Sequence, residues 1–202
     1  MHQRSVLTLA LALAAMPAAA RQASADPLGP IAQCIAKGQF RSAETLRRAN
    51  QDPTRQVEGP NGPATVSVAD GYRVMLHKAG KAPLVNLKIE LSAPGQFRQD
   101  RDAILAQYGV MAKRAAAAGA APVAAARSEI NGVEVIDLTS PTIDRGGPLS
   151  MVTLAHEASG VIGTAYMLSQ PKDVREYANM EEYTALRDQF TRELAGCMAA
   201  KG

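Results

Sequence analysis

Val85, Leu87, Ile89 and Leu91 alternate with Asn86, Lys88 and Glu90, and this period of two predicts a strand with one buried and one wet face. Upstream, Tyr72, Val74 and Leu76 repeat the alternation, and Asp70-Gly71 predicts a turn joining them to a short strand at Val66 and Val68. Downstream the period lengthens. Ile104, Leu105, Tyr108 and Met111 fall on one helical stripe opened at Asp100, with Arg101, Asp102, Gln107 and Arg114 facing away. That helix is expected to end by Gly119, ahead of an alanine-rich stretch over residues 115–126.

Two hairpins follow. Residues 123–129 and 133–139 flank Asn131-Gly132, a pair that readily adopts the positive φ angles a tight turn requires. Residues 149–157 and 161–170 flank Ala158-Ser159-Gly160 and are apolar at both parities, the pattern of strands covered on both faces. A last helix is expected from Asn179, with Glu182 completing a capping pattern and Tyr183, Leu186, Phe190, Leu194 and Cys197 forming its core stripe. Toward the N-terminus, residues 31–48 read as one or two short helices broken near Gly38, with Phe40, Ala43 and Leu46 on one face. Residues 50–63 hold three prolines and two glycines and read as a loop.

The first 25 residues read as a cleavable leader. Arg4 precedes a short apolar run, and Ala23-Ser24-Ala25 has the small-x-small form cut before Asp26; Ala18-Ala19-Ala20 is an alternative site. Neither site precedes a cysteine, so a lipid anchor has no support. The mature chain is therefore expected in the periplasm or secreted, with no integral membrane segment. Cys34 and Cys197 lie near its two ends on apolar helical stripes, and an oxidising compartment favours a structural disulfide between them; two separately buried thiols are the plainer alternative. Residues 26–64 form the N-terminal segment of this reading and residues 65–202 its main domain.

Composition removes several functions. The chain has no Trp, five Tyr and three Phe, too few for aromatic stacking platforms. Its 22 basic and 19 acidic residues become 20 and 19 once Arg4 and Arg21 leave with the leader, a net charge of +1 with no basic run dense enough for a phosphate backbone. No nucleic-acid partner is expected. His77 and His156 are the only histidines beyond the leader. Strand geometry points His156 and Glu157 to opposite faces, so no metal site is expected, and His77 reads as a solvated edge histidine. There is no G-x-S-x-G elbow, S-x-x-K pair or P-loop. The pairs Asp100 with Asp102 and Glu181 with Glu182 sit where helices begin and complement the helix dipole. No catalytic residue and no cofactor are assigned. Met75, Met111, Met151, Met167 and Met180 belong to the core or, in the alternative, line an adaptable groove.

The element order from residue 65 to residue 198 resembles the PsbP-like fold of the photosystem PsbP proteins, the Ran-binding Mog proteins and the DcrB-like periplasmic proteins. Asp70-Gly71-Tyr72, Ile130-Asn131-Gly132-Val133-Glu134 and residues 183–194 carry the resemblance. It implies an α+β domain, mostly antiparallel sheet flanked by helices as an α/β/α sandwich, and a set of adaptor and binding domains with no common catalytic centre. The expected function is an exported, non-catalytic binding or assembly module of the cell envelope; a carrier of a small apolar ligand is the alternative, and an enzyme with dispersed residues comes third. The partner is an unknown envelope protein or such a ligand. Asp144 and Arg145, in the polar connection 140–148, are the candidate partner contact.

Overall fold

The computed structural model describes residues 27–48, 54–59, 61–67, 70–78, 82–117, 125–139 and 148–201. In chain order these form α1 (Leu28–Lys37), β1 (Arg41–Arg48), β2 (Thr54–Gly59), β3 (Gly62–Ser67), β4 (Asp70–His77) and β5 (Val85–Leu91). They continue as α2 (Phe97–Ala117), β6 (Ala126–Ile130), β7 (Val133–Thr139), β8 (Pro148–His156), β9 (Val161–Leu168) and α3 (Met180–Lys201). Seven strands make one antiparallel sheet in the order β1-β4-β5-β9-β8-β7-β6, and β2 and β3 make a separate hairpin. The class is α+β, with helices flanking the sheet.

The sheet is covered on both sides. Val85, Leu87 and Ile89 of β5 face the same core as Ile31 and Ile35 of α1 and Phe190 and Leu194 of α3. On the other face Ile104 and Tyr108 of α2 pack with Ile136, Met151 and Ile162, and the β2–β3 hairpin lies along α2. Covering both faces explains why β8 and β9 are apolar at both parities. Cys34 of α1 and Cys197 of α3 are joined by a disulfide, so the two helices of the first face are covalently tied.

Local chemistry forms the predicted turns and caps. Asn131 at φ 52° and Gly132 at φ 78° supply the left-handed pair of the β6–β7 hairpin. Asn179 Oδ1 accepts from the Glu182 amide at 3.0 Å, and Glu182 Oε2 accepts from the Ala178 amide at 2.7 Å, which fixes the start of α3.

Three expectations fail upstream of β5. Residues 41–48 are not helical: they pair with β4 as the sheet's outer strand, so α1 ends at Lys37. Residues 50–63 are not all loop, because Thr54–Gly59 pairs with Gly62–Ser67, Gly59 opposite Gly62, and Gly62 takes φ 107° where the chain reverses. Asp70 and Gly71 make no turn either. They lie within β4, opposite Leu91 and Glu90. A domain boundary between residues 64 and 65 therefore falls inside β3, and α1 and β1 belong to the same core and sheet as the rest.

Candidate functional site

On β5 the residues at the polar parity are not wet. Lys88 and Glu90 point to the α2 side, where their side chains are 15% and 7% exposed, and Lys88 Nζ lies 2.7 Å from Glu90 Oε1. Gly71 on the neighbouring strand makes room for this pair, since a Cβ there would stand 2.8 Å from the Ile89 carbonyl oxygen and 3.3 Å from Glu90 Cγ. The register then carries a polar row across three strands: Lys88 is opposite Thr164 on β9, and Thr164 is opposite Thr153 on β8. Tyr108 closes the row from above, donating to Thr153 Oγ1 at 2.8 Å. Burial pushes the Tyr108 hydroxyl pKa well above its ordinary value, against the opposing effect of the Thr153 hydrogen bond.

Beside this row lies a cavity of about 150 Å³. The sheet lines it with Lys88, Thr164, Tyr166 and Met151; α2 adds Ile104 and Gln107; β2 adds Gln56 and Val57. Two kinds of surface therefore converge. Lys88, Thr164, Tyr166 and the two glutamines offer hydrogen bonds, whereas Ile104, Val57 and Met151 offer apolar contact. The Gln56 amide is held by donation to Thr65 Oγ1 at 2.8 Å, so the hairpin fixes its own contribution. Such an arrangement can hold and orient a small molecule.

Other constellations are accounted for within the fold. His156 Nδ1 and Ser159 Oγ are 2.8 Å apart, and Ser159 Oγ also donates to the His156 carbonyl at 3.4 Å. This is a turn-closing contact three residues long, and no carboxylate hydrogen-bonds to the imidazole among the described residues. Glu157 points away and pairs with Arg98 at 2.8 Å, as strand parity requires. His77 is not at an edge: β4 runs between β1 and β5, and the half-buried ring keeps Nδ1 without a hydrogen-bond partner. On the α3 face, Arg187 donates to Asp137 Oδ1 at 3.1 Å and Thr139 Oγ1 at 2.6 Å. Thr139 and Ser150 hydroxyls are 2.8 Å apart, and Tyr183 donates to Ser150 at 2.8 Å. These groups satisfy one another and tie α3 to β7 and β8. An open cleft of about 480 Å³ near the start of α2 is rimmed by Arg101, Arg127, Glu129, Glu134 and Glu157, of which Arg101, Arg127, Glu134 and Glu157 are paired within the rim or with Arg98 and Asp102. Among the described residues no three His, Cys, Asp or Glu side chains are grouped so as to hold a metal, and no helix is long and apolar enough to cross a membrane.

The residues singled out from the sequence are dispersed. Met167 and Met180 pack with the α3-side core, Met151 lines the cavity, Met75 is half-buried on β4, and Met111 is exposed, so the five methionines form no common groove. Asp100 sits buried in the first turn of α2, and Glu181 and Glu182 are exposed in the first turn of α3. Asp144 and Arg145 lie outside the described residues, as do the leader with both cleavage sites, Val68 and Gly146-Gly147. Gln107 does not face away: it lies one helical turn from Ile104 and reaches the cavity. Sequence reading missed it, with Lys88, because the alternation of residues 85–91 reads as a strand with one wet face and the stripe of α2 puts Gln107 on its outward side.

No family model, no curated protein and no solved structure matches this chain.

Proposed function

We propose that this chain is an exported, non-catalytic binding module that holds a small molecule between α2, the β2–β3 hairpin and the sheet. The observation that carries the reading is the cavity itself, where Lys88, Thr164 and Gln107 arrive from three separate elements beside an apolar wall. Export is supported by the leader-like residues 1–25 and by the Cys34–Cys197 disulfide, a bond that persists in oxidising compartments. The resemblance to the PsbP-like adaptor and binding domains points the same way. A ligand of purely apolar character is disfavoured, because it would strand the polar lining groups without partners.

Intact-mass analysis of protein recovered from the envelope of an exporting cell tests both halves. The expected species begins at Asp26, carries no lipid, and under native conditions retains a small adduct that is lost on denaturation. A species that keeps Arg4 overturns export. Turnover that disappears in His156→Gln overturns the non-catalytic reading.

A further inference from the structure

We infer that the cavity takes an uncharged molecule of about six heavy atoms, with a hydrogen-bonding group at one end and an apolar body at the other. This rests on the binding-module reading above. Size comes from volume: a cavity of about 150 Å³ is the size that accommodates a benzene-sized molecule. Polarity comes from the lining. Lys88, Thr164 and Tyr166 on the sheet, with Gln107 above them, present donors and acceptors, while Ile104 and Val57 present alkyl surface.

Neutrality comes from charge balance. Lys88 is the one formally charged lining residue, and Glu90 already stands 2.7 Å from its ammonium in a setting where both side chains are largely withdrawn from water. An entering carboxylate would give up its hydration and meet Lys88 only in competition with Glu90, leaving two negative charges against one positive. An entering ammonium would meet the mirror-image problem. In a low-dielectric site that excess charge is costly, whereas an amide or alcohol hydrogen-bonds without disturbing the pair. A carboxamide suits the lining best, since its carbonyl can accept from Lys88 or Thr164 and its amino group can donate to Gln107 Oε1.

The test is a titration of the whole disulfide-bonded chain with butyramide, butyrate, butylammonium and benzene, followed through the Met151 and Ile104 methyl signals and the Thr164 amide. Butyramide is expected to saturate at those three positions and to bind about tenfold tighter than either charged probe. Equal or tighter binding of butyrate or butylammonium overturns the charge-balance inference, and tighter binding of benzene overturns the polar end, yet each leaves the binding-module reading standing. No response to any probe overturns both. A second measurement separates lining from fold: Gln107→Leu is expected to weaken butyramide about fivefold while leaving benzene unchanged, and equal weakening of the two overturns the assigned role of the amide.

Discussion

Tyr108 of α2 donates its hydroxyl proton to Thr153 Oγ1 at 2.8 Å, a bond that ties the helix to β8 beneath it. The same oxygen lies 3.2 Å from the Ile136 carbonyl and 3.4 Å from the Met151 carbonyl, so the ring reaches into the junction of β7 and β8. Tyr108→Phe leaves Thr153 without that partner in a buried setting, and a loss of about 1–3 kcal/mol in urea unfolding is expected. Tyr108→Phe combined with Thr153→Val should cost less than the two single changes added together, because the pair is removed as a unit. Additive losses in the double-mutant cycle would show that the bond does not couple the layers.

Tyr183 is the counterpart on the opposite face, donating to Ser150 Oγ at 2.8 Å. Burial raises the hydroxyl pKa of both tyrosines above the ordinary 10.0. The native state therefore holds these two protons to higher pH than the unfolded chain does. Their linkage leaves stability unchanged below about pH 10 and lowers it as pH rises from there toward the folded-state values. Urea midpoints measured from pH 8 to pH 11 should fall only in the upper part of that range. Tyr183→Phe should make the alkaline slope shallower, and an unchanged slope would exclude the linkage.

Much of this fold is written locally, and the candidate site is not. Asn131-Gly132 and the Asn179–Glu182 cap act over two to four residues, so short-range chemistry specifies them completely. β1 misled because Phe40, Ala43 and Leu46 fall at helical intervals, while Arg41–Arg48 pairs on one side only and shows little alternation to read. The prolines around β2 and β3 suggested a loop; a two-stranded hairpin tolerates them at its ends and turn because few ladder bonds are lost. That second misreading hid the site. With the hairpin dismissed as loop, the Lys88 parity of β5 looked solvated and Gln107 looked like the wet side of α2. Only the tertiary placement of β2 over both reverses those assignments.

The Cys34–Cys197 bond closes a loop with a sequence separation of 163. The chain-entropy model assigns such a loop about 5 kcal/mol, an upper value because strain and residual structure in the unfolded chain reduce it. Cys34→Ser with Cys197→Ser is expected to lower the urea midpoint strongly while preserving the far-ultraviolet spectrum in the absence of denaturant. A midpoint insensitive to reductant would contradict a stabilising role.

Gly38 follows α1, and the side chain of Glu193 occupies the space that a Cβ there would need: the added atom would lie 1.4 Å from Glu193 Oε1. That carboxylate accepts from the Gln39 amide, with oxygens at 3.1 and 3.3 Å. Gly38→Ala should displace Glu193 and cost about 1 kcal/mol through the lost hydrogen bond. In a Glu193→Ala background the same change should cost little, since the obstruction and the bond are both gone. An equal loss in both backgrounds, read by thermal unfolding, would reject the steric account.

All the described strands lie between Cys34 and Cys197, and the bond joins helices that pack on one face. A mechanical load applied through the chain on either side of that segment therefore passes across the sulfur–sulfur link and never reaches the sheet. A single protease cut between the two cysteines likewise releases no fragment, because the disulfide still bonds the two pieces to each other. Under tension or proteolytic attack, the cavity-bearing layer stays tethered by topology before the stability of the fold is called upon.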